Sequence, residues 1–197
     1  MLKTILLIDG QNFLHKIDEV LKSTASKKEV VEVEAVNLNK LLINPLKGIQ
    51  LNRKLFYGAK LHYNSDTPIK STRLIKSQRK LINSLKKQEF EFIMAGNVRA
   101  QKVDGKVIFR EKRVDVRIAV DMVSLACDKK VESIILCSSD SDLQPAISEV
   151  RKRKVKVFYL GFENNPNKGL TYTTDRTILI RNSEVIAAFD QKKEKRK

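Results

Sequence analysis

Cysteine, tryptophan, proline and long apolar runs are all scarce in this sequence. Its 197 residues include two cysteines, four prolines and no tryptophan, and no stretch reaches the roughly 18 apolar residues of a membrane helix. Cys127 and Cys137 each lie in an apolar run, so we predict two buried free thiols rather than a disulfide. Together with the scattered His15 and His62, these two cysteines do not assemble a zinc site.

Acidic residues are the minority charge. The chain has 23 Asp and Glu against 39 Lys and Arg, a formal net charge of +16. This excess favours a polyanionic partner, because surface Lys and Arg neutralise phosphates and release their counterions. We expect nucleic acid as the partner and no membrane association. The apolar stretch from Thr4 to Ile8 is too short for a secretory signal, so we expect a cytoplasmic protein.

The length and the apolar content of 42% are those of one domain with an ordinary hydrophobic core. We predict a single domain over residues 1–189. The last eight residues, 190–197, carry five basic side chains and no apolar one, and we predict a disordered basic tail there. The sequence is compatible with a homo-oligomer but does not indicate one.

Short apolar runs alternate with longer amphipathic segments, which is typical of a parallel sheet covered by helices. The first run, Thr4 to Ile8, is apolar after its first residue, as expected for a central strand buried on both faces. Strands are predicted at 4–8, 54–59, 90–94, 133–137 and 155–160, and helices at about 12–22, 67–88, 114–128 and 142–152.

Two alternating segments flank Asp104-Gly105 within residues 98–110. Asp-Gly is a strong signal for a two-residue hairpin turn, because both positions can take positive φ. We therefore predict a β-hairpin that projects from the sheet. The polar segment 23–28 is interpreted as a loop.

The helix predicted at 67–88 has an apolar side and a basic side when its residues are placed at 100° intervals. The basic residues are Lys70, Arg73, Lys76, Lys80 and Lys87. No acidic residue lies between positions 70 and 87, whereas a solvated helix normally mixes charges to form i,i+4 pairs. Both a phosphate-binding surface and an ordinary solvated face account for this stripe.

Carboxylates occur where predicted strands end. Asp9 follows the first strand, with Asn12 close behind it, and Asp140 and Asp142 follow the strand at 133–137. In an open parallel sheet, ligands bind outside the carboxyl ends of the strands. Two adjacent strands would therefore bring these groups together.

Two further acids, Asp115 and Asp121, lie in the predicted helix 114–128. Asp115 could simply complement the helix dipole, and Asp140 or Asp142 could be an N-cap. Asp9 is harder to explain structurally, because a carboxylate directly after four apolar residues is costly without a cation or hydrogen bonds. Converging carboxylates favour Mg²⁺ or Mn²⁺. Metal catalysis then predicts at least three carboxylate oxygens within about 5 Å of one point.

Three motifs, in the order IDGQN, KRVDVRIAVDM and SSDSDLQPAI, are followed by KVKVFYLGF. This ordered set resembles the NYN domain, the nuclease-like branch of the PIN superfamily that includes the LabA-like bacterial proteins. The likeness runs from about Leu6 to about Ile180. It implies a three-layer α/β/α sandwich with a mainly parallel Rossmann-like sheet. Ser139 replaces a frequent Gly and Leu143 a frequent Phe, but neither departure removes a carboxylate.

The resemblance also implies site residues and an activity. By position it assigns catalytic roles to Asp9, Asn12, Asp115 and Asp140. The metal ligands that it implies, for Mg²⁺ or Mn²⁺, are Asp9, Asp115, Asp121, Asp140 and Asp142. The favoured hypothesis is a metal-dependent (endo)ribonuclease that hydrolyses RNA phosphodiester bonds. This chemistry does not require the 2′-hydroxyl, so RNA rests on the resemblance and DNA is a second candidate substrate.

Two other functions are compatible with the sequence. One is a non-catalytic nucleic-acid-binding module of the same fold, and the other is a regulatory protein whose basic surface meets an acidic partner. Intact acids in all three motifs favour the enzyme. We expect nucleic acid to be bound by the basic stripe of helix 67–88 and by basic residues around the hairpin. The hairpin set is Arg99, Lys102, Lys106, Arg110, Lys112 and Arg113.

Overall fold

A seven-stranded sheet forms the centre of the structure, a computed structural model that describes residues 3–24, 36–103 and 106–189. The strands are β1 (Lys3–Asp9), β2 (Arg53–Lys60), β3 (Glu91–Val103), β4 (Lys106–Lys112), β5 (Val131–Cys137), β6 (Lys156–Phe162) and β7 (Arg176–Ile180). Their order is β4-β3-β2-β1-β5-β6-β7, and each neighbouring pair is parallel except β3 with β4. The predicted mixed α/β class with a mainly parallel sheet is confirmed.

Seven α-helices accompany this sheet in the described part of the chain. They are α1 (Gly10–Thr24), α2 (Leu38–Leu42), α3 (Pro68–Lys87), α4 (Val114–Cys127), α5 (Gln144–Lys152), α6 (Lys168–Thr173) and α7 (Asn182–Phe189). A 3₁₀ helix, Ser141–Leu143, leads into α5. Of the loop predicted at 23–28, the first two residues belong to α1 and the others lie outside the described residues.

The core has two parts because alternate residues of each central strand face opposite sides of the sheet. In β1, Leu6 and Ile8 pack with residues of α1, α2, α3 and α7. Ile5 and Leu7 pack with residues of α4, α5 and α6. Burial on both faces explains why this strand is a continuous apolar run. Each such side chain stabilises the fold by about 1.5–3 kcal/mol.

The order of the strands reverses beside β1. The chain adds β2, β3 and β4 on one side of β1, and β5, β6 and β7 on the other. Because Ile8 pairs with Cys137, the next residues, Asp9 and Ser138, leave neighbouring strands side by side. The crevice outside the carboxyl ends at such a switch point is where open α/β sheets bind ligands.

The β3–β4 pair returns the chain to the carboxyl ends of the parallel strands. β3 pairs with β2 only as far as Asn97, and from there to Val103 it pairs with β4. The turn at Asp104-Gly105 lies outside the described residues, and the projecting hairpin stays a prediction. After β4, Arg113 takes a left-handed φ of 77° and turns the chain into α4. This turn brings Asp115 to the carboxyl edge.

The two cysteines differ in exposure. Both are free thiols, as predicted, and Cys137 is buried, but Cys127 is exposed and its predicted burial is wrong. Cys127 is the last residue of α4, where its sulfur accepts a hydrogen bond from Arg153 Nε at 3.1 Å. Among the described residues, no helix combines the length and apolarity needed to cross a membrane. The predicted tail, 190–197, lies outside the described residues, and the domain boundary at 189 stays a prediction.

Candidate active site

An open cavity of about 330 Å³ lies at the carboxyl ends of β1 and β5. Its lining consists of Asp9, Gln11, Asn12, Lys112, Arg113, Val114, Asp115 and Asp140. The structure thus brings together the four residues to which the sequence analysis assigned catalytic roles. They arrive from three places: the β1–α1 junction, the first turn of α4 and the connection after β5.

Asp9 is the most buried of these carboxylates, with 4% of its surface exposed. Because α1 begins at Gly10, directly after β1, Asp9 also caps that helix. Its Oδ1 accepts a hydrogen bond from the Asn12 backbone N–H at 3.2 Å, and its Oδ2 accepts one from Asn12 Nδ2 at 2.6 Å. The first turn of α1 therefore fixes both the acid and its companion amide.

Ser138 connects the ends of β1 and β5, a role that the sequence analysis missed. Its hydroxyl donates to Asp9 Oδ2 at 3.1 Å and accepts from the Asp140 backbone N–H at 3.1 Å. Asn12 Nδ2 lies 3.3 Å from the same hydroxyl oxygen. The available signal was a hydroxyl residue directly after an apolar strand. It became meaningful only once β1 and β5 were known to be neighbours.

The electrostatics of the cavity disfavour a negative charge on Asp9. Burial raises the pKa of Asp9, and the negative charge of Asp140 adds to that rise, while hydrogen bonds from Asn12 and Ser138 oppose it. Lys112 and Arg113 line the same cavity. Within the described residues, however, neither base forms an ion pair with the cavity acids. The cavity acids are thus not neutralised by the cavity bases.

Asp140 and Asp142 have different positions. Asp140 is half-buried and lines the cavity, and its Oδ1 accepts a hydrogen bond from the Asp142 backbone N–H at 2.9 Å. It is thus the N-cap of the 3₁₀ helix as well as a cavity acid. Asp142 is exposed and does not belong to the cavity lining.

Asp121, implied as a metal ligand by the family resemblance, is not brought into the cavity. Its Oδ2 accepts a hydrogen bond from Tyr57 Oη at 3.0 Å, and its Oδ1 accepts one from Arg117 Nε at 2.8 Å. The reason is helical geometry, because six residues after Asp115 place it about 240° around the helix. Burial, reinforced by the charge of Asp121, raises the pKa of the Tyr57 hydroxyl, which stays a hydrogen-bond donor.

The predicted basic stripe lies on the exposed surface of α3. All five of its members are exposed, and none forms an ion pair with an acid in the part of the chain that the structure describes. Lys70 Nζ stands 5.1 Å from the centre of the Phe109 ring. The side chains of four predicted hairpin bases are not among those described: Arg99, Lys102, Lys106 and Arg110. The remaining two, Lys112 and Arg113, line the cavity.

The cavity does not hold a preassembled three-ligand metal site. Across residues 3–24, 36–103 and 106–189, no three acidic, histidine or cysteine side chains lie close enough to share one ion. The expectation of three carboxylates around one point is therefore not met by the described residues. Asp9 and Asp140 are held by hydrogen bonds to neighbouring groups, and like charges repel. The donors nevertheless suit Mg²⁺, which is commonly bound by one or two carboxylates plus waters and substrate phosphates.

Gly10 permits the close approach of α1 to β2 beside Asp9. A Cβ at this position would lie 2.5 Å from the Tyr57 carbonyl oxygen and closer still to the Phe56 ring. We expect Gly10→Ala to lower the free energy of unfolding by about 1–3 kcal/mol, because backbone and a buried ring must move. Urea denaturation measures this loss. Gln11→Ala, at the next and exposed position, is the control, and an equal effect of both substitutions would contradict the packing argument.

The fold and the carboxylate-lined crevice at its switch point define an α/β protein of the PIN-like nuclease class. The sequence matches the NYN domain family over residues 3–181, nearly its whole length, so the chain belongs to that family. The resemblance noted from the three motifs is thereby confirmed. NYN domains have a PIN-like nuclease fold, and they are generally ribonucleases that typically use divalent metals.

Solved structures that are similar to this chain include the following two. One is a protein of unknown function from Vibrio parahaemolyticus RIMD 2210633, with a TM-score of 0.59, 19% identity, and coverage of 90% of this chain and 92% of that one. This likeness shows that the two proteins share a fold. The other is phosphoglycerate kinase from Coxiella burnetii, with a TM-score of 0.40, 8% identity, and coverage of 95% and 50% respectively. No curated protein matches the chain significantly.

Proposed function

We propose that this chain is a metal-dependent ribonuclease whose active site is the cavity at the β1–β5 switch point. The observation that carries the proposal is the convergence of Asp9, Asp115 and Asp140 on one cavity in a protein of net charge +16. Acids gathered within a basic protein suit a cation at the centre of a phosphate-binding surface. RNA as the substrate is supported by membership of the NYN family.

Asp9, Asp115 and Asp140 supply the carboxylates of the proposed Mg²⁺ or Mn²⁺ site, since hard oxygen donors select these ions. One or two of them would contact the ion directly, and waters would link it to the rest. When bound, such an ion activates water as a nucleophile and offsets the negative charge that develops at phosphorus. Binding would also relieve the unfavourable burial of the Asp9 carboxylate. Asp121 and Asp142, which lie outside the cavity lining, are not part of this proposed ligand set.

Neutral and basic residues of the cavity complete the proposed site. Asn12 donates both of its described side-chain bonds through Nδ2, to Asp9 and Ser138, and its Oδ1 accepts from no described residue. We assign this oxygen the orientation of the attacking water. Lys112 and Arg113 would bind the phosphates that flank the scissile bond, because both are exposed and without acidic partners among the described residues.

The remaining parts of the proposal concern the domain and the path of the substrate. The two-sided core supports a three-layer α/β/α sandwich within a single domain, residues 1–189. The basic stripe of α3 would hold the RNA backbone. Cleavage of single-stranded RNA by the purified chain with Mg²⁺ or Mn²⁺, and its loss in EDTA, tests the activity.

Asp9→Asn should stabilise the metal-free protein at neutral pH. Because the pKa of Asp9 is raised in the fold, its ionisation costs folding free energy as the pH rises above the ordinary value of 3.8. Asparagine does not ionise, so the gain should be small near pH 4 and larger at pH 7. For a protein of this size, a gain of about 1 kcal/mol raises Tm by about 2–4 °C. Thermal denaturation in EDTA at both pH values measures it.

Asp18→Asn is the matched control for this measurement. Asp18 is a half-exposed residue of α1, and its carboxylate pairs with Lys22 at 2.5 Å. Its substitution should not raise Tm at pH 7, because it removes the ion pair with Lys22. A Tm difference between Asp9→Asn and the wild type that stays constant from pH 4 to pH 7 would contradict the unfavourable ionisation of Asp9.

A further inference from the structure

A second cavity, of about 360 Å³, adjoins the acidic one at the carboxyl edge of the sheet. The two share Gln11, the second residue of α1. The second cavity lies between α1, the end of β2, α3 and the β3–β4 pair. Its apolar lining includes Leu14, Phe56, Leu74, Leu81, Phe92 and Phe109. Its volume falls within the range of small-molecule sites, about 300–1,000 Å³.

The walls of this groove combine aromatic surface with positive charge. The partly exposed Phe92 ring lines the groove, and the buried Phe56 ring stacks behind it, with centres 6.1 Å apart and planes inclined by 23°. Phe109 lines the groove from β4, and the Lys70 ammonium group stands over its ring. The α3 wall therefore presents apolar residues to the groove, with the basic stripe beside them.

Gln78 supplies a fixed hydrogen-bonding group within this apolar lining. Its Nε2 donates to the Ala59 carbonyl oxygen at 2.7 Å, which sets the orientation of the amide. Its Oε1 accepts no hydrogen bond from any residue in the described ranges. The groove thus offers one oriented acceptor, and an amino group is its natural complement.

We infer that this groove binds one unpaired nucleobase of a single-stranded RNA whose neighbouring phosphate lies in the acidic cavity. The inference rests on the proposed function. It adds a base-binding subsite that prefers bases carrying an amino group. A nucleobase has apolar faces for an aromatic groove and polar edges for a single acceptor. The basic stripe complements its phosphate backbone, and Gln11 joins the two cavities. Adenine and cytosine each present an exocyclic amino group to Gln78 Oε1, whereas the only base donor of uracil, N3–H, is flanked by two carbonyl oxygens that would face the same acceptor.

Binding of RNA in EDTA tests this subsite separately from cleavage. The probes are fluorescein-labelled eight-nucleotide homopolymers of adenine, cytosine and uracil, measured by fluorescence anisotropy with the full chain. Gln78→Met removes the acceptor and keeps the length of the side chain. It should lower the affinity ratio of the adenine and cytosine oligomers to the uracil oligomer by about 2- to 10-fold. Lys80→Gln, on the same helix, should weaken all three oligomers equally and leave the ratio unchanged.

Phe109→Ala tests the aromatic wall. Removing the ring should weaken binding of the adenine oligomer by about 5-fold or more. Leu179→Ala is the control, because Leu179 is a partly exposed residue of β7 at the opposite edge of the sheet, and it should leave binding unchanged. Circular dichroism and thermal denaturation establish that each variant is folded.

The possible results test the base-binding subsite independently of RNA cleavage. An unchanged oligomer ratio in folded Gln78→Met, or unchanged affinity in folded Phe109→Ala, would overturn the subsite even if the chain cleaves RNA. A lower oligomer ratio in Gln78→Met together with weaker binding in Phe109→Ala would support the subsite even if the wild-type chain does not cleave RNA. Sedimentation of a wild-type dimer that Phe109→Ala converts to a monomer, with RNA binding unchanged, would assign the groove to a second copy of the chain instead.

Discussion

Asp9→Asn, Asp115→Asn and Asp140→Asn should each lower kcat/KM for RNA cleavage by about 100-fold or more while the chain stays folded. Each substitution keeps the shape of the side chain and removes one negative charge from the proposed cation site. Such a site contributes several kcal/mol to transition-state stabilisation, and 1.36 kcal/mol corresponds to a factor of ten in rate. Single-turnover cleavage of a labelled single-stranded RNA at saturating Mg²⁺ measures the loss.

Substitutions of other aspartates provide the comparison. Asp18→Asn, on α1 and outside the cavity, should stay within about 2-fold of the wild type. Asp121→Asn and Asp142→Asn should lose less than about 10-fold, since neither carboxylate lines the cavity. A loss in Asp121→Asn as large as that in Asp115→Asn would favour the ligand set implied by the family resemblance. Near-wild-type rates in all three cavity variants would contradict the metal centre.

Removing the charge of the basic stripe should produce the second large effect, on RNA affinity and on its dependence on salt. The variant changes the five members of the stripe together to glutamine. Each phosphate contact on a single strand contributes about 0.7 to the slope of log affinity against log salt. The slope should therefore fall by up to about 3.5 in magnitude if all five bind phosphate. Anisotropy titrations in EDTA over a range of salt concentrations measure it.

The matched control removes five exposed charges near the amino ends of the parallel strands, away from the proposed site. The residues are Lys3, Lys47, Lys129, Lys156 and Arg176. Both variants lose the same net charge, so a general effect of charge would appear equally in both. Equal changes in slope would show that α3 is an ordinary solvated face. A larger change in the α3 variant supports a defined path for the backbone.

Elements with a strong periodic pattern could be predicted from the sequence. The apolar run of β1 led to a central strand, and the residues of α3 separated into apolar and basic sides at helical spacing. The helices and strand that escaped prediction are short: α2, α6, α7 and β7. A segment of five to eight residues completes too few periods for its pattern to stand out, and its structure depends on contacts made elsewhere in the fold.

A residue of the candidate site could be predicted from the sequence where its position along a single strand or helix determines whether it reaches the cavity. Asp9 and Asp140 follow strands, so the rule for carboxyl ends located them once β1 and β5 were known to be neighbours. Asp121 illustrates the limit, because its partner Tyr57 comes from β2, which only the folded chain brings beside α4. Ser138 depended on the same kind of tertiary information. The pairing of β1 with β5 brings two polar partners, Asp9 and Asn12, to its hydroxyl.

Cleavage of RNA as a function of metal is the measurement that tests the central proposal most directly. Purified wild-type chain is incubated with labelled single-stranded, structured and duplex RNA in Mg²⁺, Mn²⁺ or EDTA, with Asp9→Asn purified in parallel. We expect cleavage in Mg²⁺ or Mn²⁺, its loss in EDTA, its return when metal is restored, and none above background with Asp9→Asn. RNA binding without cleavage in any metal, or cleavage that persists equally in EDTA and in Asp9→Asn, would contradict the proposal.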